Sequence, residues 1–102
     1  MQAIQTMSAL AQPTRMELFA QLARAAPDGM TAGALAERVG IPPNLMSGHM
    51  AILSRAGLVA SVRTGRNVIY SVVPAAIGGL VRFLTEDCCP GCVVDDRSQR
   101  SA

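Results

Sequence analysis

The chain has 102 residues, one domain's worth, so a large enzyme with its own cofactor domain is excluded by length. Half the residues are hydrophobic but only three are aromatic, which leaves Ala, Leu, Val, Ile and Met to build the core. The net charge is +2, carried by nine arginines and no lysine, and it is unevenly spread: five arginines and no acid between Arg38 and Thr85, then four acids against two arginines from Glu86 onward. A basic middle suits an anionic partner such as a nucleic-acid backbone, or simply a solvated surface. The longest uncharged run, Val39 to Ser54, has 16 residues with two prolines, an Asn and a His. A membrane span needs about 20 mostly apolar residues, so none is expected. No basic segment precedes a short apolar run at the N-terminus, so a secretory signal is not expected either. The three cysteines all fall between positions 88 and 92. They are no disulfide framework for a secreted mini-protein, and the expected setting is a reducing cytoplasm.

In chain order, Ala3, Ile4, Met7 and Leu10 give residues 1–10 the spacing of a short helix with one apolar face. Pro13 opens a second helix, with Gln12, a poor capping residue, before it. Its inward face is expected to carry Leu18, Phe19, Leu22, Ala25 and Ala26, and Pro27-Asp28-Gly29 ends it. Thr31 caps a third helix with Ala32, Leu35, Ala36 and Val39 inward, and Gly40 stops it. Pro42 and Pro43 open a fourth, in which Met46, Met50 and Leu53 fall at i, i+4 and i+7; Gly57 ends it.

The period then changes from about 3.6 to 2. Leu58 to Arg63 and Asn67 to Val72 read as a hairpin with Thr64-Gly65-Arg66 at its tip. Pro74 starts a last helix with an apolar stripe of Ile77, Leu80, Val81 and Leu84, stopped by Pro90-Gly91. Residues 1–92 thus form one domain and 93–102 a polar tail.

Two helices joined by Gly40-Ile41-Pro42-Pro43 and followed by a basic hairpin define a mainly α (α+β) winged helix-turn-helix. With the Met stripe in the core, Asn44, Ser47, Gly48 and Ala51 face outward, small and amide side chains that allow close approach to base edges. His49 sits half-buried beside the stripe at the edge of that surface and counts with Asn44, Ser47 and Gly48 as a candidate DNA contact; a lone His is a poor metal candidate. Arg63 and Arg66 stand where phosphate contacts would fall. Arg38, Arg55 and Arg82 read as solvated faces.

The segments Leu10-Ala11-Gln12-Pro13-Thr14-Arg15-Met16, Ile41 to Met50 (Ile-Pro-Pro-Asn-Leu-Met-Ser-Gly-His-Met), Arg55-Ala56-Gly57-Leu58-Val59 and Gly65-Arg66-Asn67-Val68-Ile69-Tyr70 resemble the ArsR/SmtB family of winged-helix metalloregulators. The resemblance covers about residues 4 to 92, with the motifs in the family's order. It implies a homodimeric repressor, clasped through its first and last helices, that holds double-stranded operator DNA until an inducer binds. The apolar stripes of those two helices fit that implication.

Cys88-Cys89-Pro90-Gly91-Cys92 brings three thiols into five residues. Helical neighbours point about 100° apart, so the sulfurs meet only if the backbone turns. Pro90 pushes Cys89 out of the helical region and Gly91 permits a reversal, so the helix should end near Asp87 with the cysteines around a loop. Soft donors select soft ions, and As(III) or Sb(III) takes three thiolates in a pyramid. Zinc takes four ligands and could draw a fourth from Glu86, Asp87 or water; cadmium, lead and thiol redox chemistry also stay open. The segment Phe83 to Cys89 resembles the C-terminal part of arsenic-responsive family members, which implies As(III)/Sb(III) at Cys88, Cys89 and Cys92. Here the third cysteine follows sooner than in that group. The third helix lacks the family's other Cys-x-Cys arsenic motif, and Pro74 to Thr85 lacks the His and acid pairs of its zinc sensors. Two rival classes remain. Cys89-x-x-Cys92 has thiol-oxidoreductase spacing, but at the wrong end of a helix and beside two acids. A structural zinc-bound DNA module would lose its fold to a chelator.

Overall fold

The computed structural model describes residues 2–91. The order is α1 (Gln2–Leu10), α2 (Pro13–Arg24), β1 (Met30–Thr31), α3 (Ala32–Val39), α4 (Pro43–Arg55), β2 (Val59–Thr64), β3 (Asn67–Val72) and α5 (Pro74–Arg82), with a π-helical turn at Phe83–Cys88. The winged helix-turn-helix expected from the sequence is present. Its sheet has three antiparallel strands in the order β1-β3-β2, one more than the hairpin alone. The added strand, β1, pairs Met30 with Tyr70 and Thr31 with Ile69. Two residues are too few to show a period of 2. Gly29 makes the pairing possible: at φ +83° it lies so close to the Tyr70 carbonyl that no Cβ could be placed there.

Leu18, Leu22, Leu35, Met46, Met50, Leu53 and Leu58 form a core in which each is at most 2% exposed. Burying each such side chain contributes about 1.5–3 kcal/mol relative to leaving it exposed. Phe19, Ala32 and Val39 pack at its margin. Ala26, expected on the inward face of α2, is exposed because the helix stops at Arg24 and the chain turns into Pro27. Thr31 caps α3 by accepting from the Ala34 N–H, and Gly40 ends it in the left-handed region. Gln12, read as a poor cap, does cap α2: its Oε1 accepts from the Arg15 N–H at 2.8 Å.

The wing is shifted by one residue from its expected start, running from Val59 with Thr64 opposite Asn67. The tip is therefore the two-residue turn Gly65-Arg66, with Gly65 at φ +62°. Leu58 leaves the strand because it is a core residue whose N–H closes on the Leu53 carbonyl at 3.0 Å.

In α1 the buried residues are Thr6 and Ala9, and the Thr6 hydroxyl is satisfied by the Gln2 carbonyl at 2.9 Å. The apolar pair Ile4 and Met7 points away from the core, 59% and 36% exposed. Val81 and Leu84, on the chain segment that packs against α1, are 45% and 43% exposed. Between α1 and α5 lies a groove of about 500 Å³ lined by Thr6, Gly79, Leu80, Phe83 and Asp87.

Candidate nucleic-acid interface and cysteine cluster

The turn from α3 to α4 is built by Gly40, whose N–H closes on the Ala36 carbonyl at 2.8 Å, and by Pro43 at the first position of α4. Those restraints set α4 across the core with Met46, Met50 and Leu53 buried. Its opposite face exposes Asn44, Ser47, Gly48 and Ala51, as the periodicity requires. Leu45 is also exposed, at 57%, and Ile52 at 38%. Arg63 and Arg66 are exposed on the wing. Arg38 and Arg55 are exposed as well, and Arg82 pairs loosely with Glu86 across one helical turn at 3.9 Å, both ends in solvent.

His49 is half-buried and has a specific partner. Arg15 donates from its Nη1 to His49 Nδ1 at 3.4 Å and from its Nε to the Ala9 carbonyl at 2.6 Å. A guanidinium only donates, so Nδ1 is the accepting nitrogen. One side chain on α2 therefore ties the last turn of α1 to the middle of α4. Arg15 was not singled out from the sequence; a charged residue in the first turn of a helix looks like any solvated arginine until its partners are known. Leu45 was missed for another reason. It precedes Met46 directly, and an apolar neighbour of a core stripe is easily assigned to the core.

At the C-terminal end, the helix runs one residue past the expected stop at Asp87. Cys88 is the last residue of the π turn, exposed and with a free thiol, rather than part of the loop. Cys89, half-buried, takes the extended φ of −142° that a residue before proline favours. Cys89 is disulfide-bonded, so three free thiolates belong to the reduced chain. Cys92 and the tail 93–102 lie outside the described residues. Among the described residues no three His, Cys, Asp or Glu side chains converge on a point that could hold a metal. None of the described helices is long and apolar enough to cross a membrane.

A family model described as a helix-turn-helix domain matches residues 10–62. The chain belongs to this family. Within it, the chain is similar to ArsR-type regulators over most of its length. An ArsR-like transcriptional regulator from Rhodococcus sp. RHA1 superposes with a TM-score of 0.76 at 27% identity, covering 98% of this chain and 88% of that one. The HTH-type transcriptional regulator NmtR of Mycobacterium tuberculosis is 34% identical over 80 residues. That match takes in 78% of this chain and 64% of NmtR, so the chain spans somewhat less than two thirds of that relative. The homodimeric winged helix-turn-helix DNA-binding domain of Mb0332 from Mycobacterium bovis, a possible ArsR-family regulator, has a TM-score of 0.68 at 21% identity. It covers 92% of this chain and 87% of that one, and it speaks for the fold alone.

Proposed function

We propose that this ArsR-type chain is a cytoplasmic transcriptional repressor that binds operator DNA as a homodimer and releases it when As(III) or Sb(III) is taken up by Cys88, Cys89 and Cys92. The observation that carries the reading is the position of the cysteines. They follow directly on the helix that packs against α1, whose apolar side chains Ile4 and Met7 are left uncovered. The relatives named above as transcriptional regulators support the DNA-binding half.

The donor set fits the ion: three soft sulfurs within five residues, and only hard oxygen donors, Glu86 and Asp87, beside them. Cys88 is open to solvent, and Cys89 stands next to it ahead of Pro90-Gly91. When bound to the reduced chain, the ion would supply a junction between the sulfurs of Cys88, Cys89 and Cys92. The rest belongs to the chain's own residues. α5 packs on α1, the Ala9 carbonyl of α1 receives Arg15, and Arg15 holds His49 of α4. A shift of the C-terminal segment thus has a continuous packed route to the reading helix. The coupling needed is modest, typically about 1–3 kcal/mol between two linked sites.

The test is a titration of arsenite into the reduced protein bound to a duplex selected from a random DNA pool. Release with the wild type and its loss in Cys88→Ser, Cys89→Ser and Cys92→Ser are expected. Normal release by Cys88→Ser would show that the assigned site is wrong. A redox-responsive repressor is the second reading, and the disulfide at Cys89 favours it. Release by a thiol oxidant, with no response to arsenite under reducing conditions, would select it.

A further inference from the structure

The face that α4 turns to solvent is made almost wholly of groups with little reach. Asn44 and Ser47 are short, Ala51 shorter, and Gly48 has no side chain; a Cβ built there meets nothing within 4 Å. Against that flat surface Leu45 stands out. It is a branched four-carbon side chain, 57% exposed, in the first turn of the helix. It belongs neither to the core nor to the partly buried apolar residues packed around it. Gly48, three residues later, offers no side chain to cover it, and His49, four later, is engaged by Arg15. Ile52, on the same flank, differs: it lines a groove against α1 together with Ala9 and Arg55. Leu45 is not among the residues lining that groove.

We propose that Leu45 is a specificity-determining residue that reads the C5-methyl group of thymine in the major groove. The inference rests on the DNA-binding reading above and gives it a base. The N-terminal residues of a second helix in a helix-turn-helix are those that reach base edges. Among the major-groove edges of the four bases, thymine alone presents an apolar group. A leucine cannot hydrogen-bond, so the one feature it can select there is that methyl. The flat surround of Gly48, Ser47 and Ala51 lets the helix approach closely enough for the contact, and Asn44 beside it has the amide that pairs with adenine N6 and N7. The two together favour A·T-containing half-sites.

The experiment replaces thymine by deoxyuridine, one position at a time, in the duplex that the wild-type protein selects from a random pool. Deoxyuridine removes the methyl and leaves every hydrogen-bonding group in place. At one thymine in each half-site the wild type should lose about fourfold in affinity, the factor for one methyl-sized apolar group. Leu45→Ala should bind the thymine duplex more weakly and show no further loss at that position, while keeping any losses elsewhere. Its melting temperature should stay close to the wild type, because Leu45 lies outside the core. The proposal is overturned if no thymine is sensitive, or if the sensitive one stays equally sensitive in Leu45→Ala. Selection of a sequence in the first step upholds the DNA-binding reading whatever the second step gives. Failure to select any duplex removes that reading and this one together.

Discussion

Arg15 and His49 lie 34 positions apart in sequence, yet the guanidinium of one meets the imidazole Nδ1 of the other at 3.4 Å while its Nε holds the Ala9 carbonyl. The link spans three helices and joins the segment carrying the uncovered apolar face to the one carrying the outward polar face.

Arg15→Ala should therefore cost stability and DNA affinity together. A hydrogen bond from a charged donor contributes about 1.5–3 kcal/mol, and two are lost here from a half-buried site. We expect a loss of about 2 kcal/mol in urea denaturation at fixed protein concentration. Arg15→Lys, with one nitrogen in place of the fork, should recover less than half of it. Full recovery by lysine would show that only the charge matters.

Glycines 29 and 33 should respond in opposite directions to alanine. At Gly29 the added Cβ collides with the Tyr70 carbonyl and φ is +83°, so Gly29→Ala should cost at least about 2 kcal/mol and break the β1–β3 pairing. Gly33 is exposed in α3 with nothing within 4 Å of an added Cβ, and Gly33→Ala should stabilise by about 0.5 kcal/mol. Thermal unfolding followed by circular dichroism reads both.

If α1 and the C-terminal segment of α5 and the π turn clasp a second copy, charges placed on their exposed apolar residues will separate the subunits without unfolding them. Ile4→Glu and Leu84→Glu alter side chains already 59% and 43% exposed. Sedimentation should shift from dimer to monomer while the far-ultraviolet spectrum keeps its helical signal. A dimer that survives both changes must be held elsewhere.

The wing arginines should act on phosphate and not on sequence. Arg63→Ala and Arg66→Ala should each weaken binding about equally on all duplexes and lower the salt dependence by about one phosphate contact. A change in preferred sequence would mean that the wing reads bases.

Arsenite uptake should follow the thiol state. The reduced chain should take up one As(III) per subunit, measured by mass spectrometry of the metalloid after gel filtration. Oxidised chain, with Cys89 in its disulfide, should take up none until a reductant is added.

Much of this molecule is determined locally. Apolar spacing at Met46, Met50 and Leu53, the cap at Thr31, the stop at Gly40 and the change of period at Leu58 each act through neighbours a few residues away, so the sequence alone determined the helices, the wing and the outward face of α4. The cysteine cluster is legible for the same reason, as its three sulfurs lie within five residues. Tertiary structure decided what depends on distant partners. β1 exists because Gly29 lets the chain reach Tyr70; Gln12 caps because the Arg15 N–H presents itself; Arg15 earns its position from Ala9 and His49. Which apolar residues stay uncovered was settled there too. Ile4, Leu45 and Leu84 are as hydrophobic as Leu18 or Leu53, and only the packing of helices on one small core, too small to cover them all, separates those that hold the fold from those left for a partner.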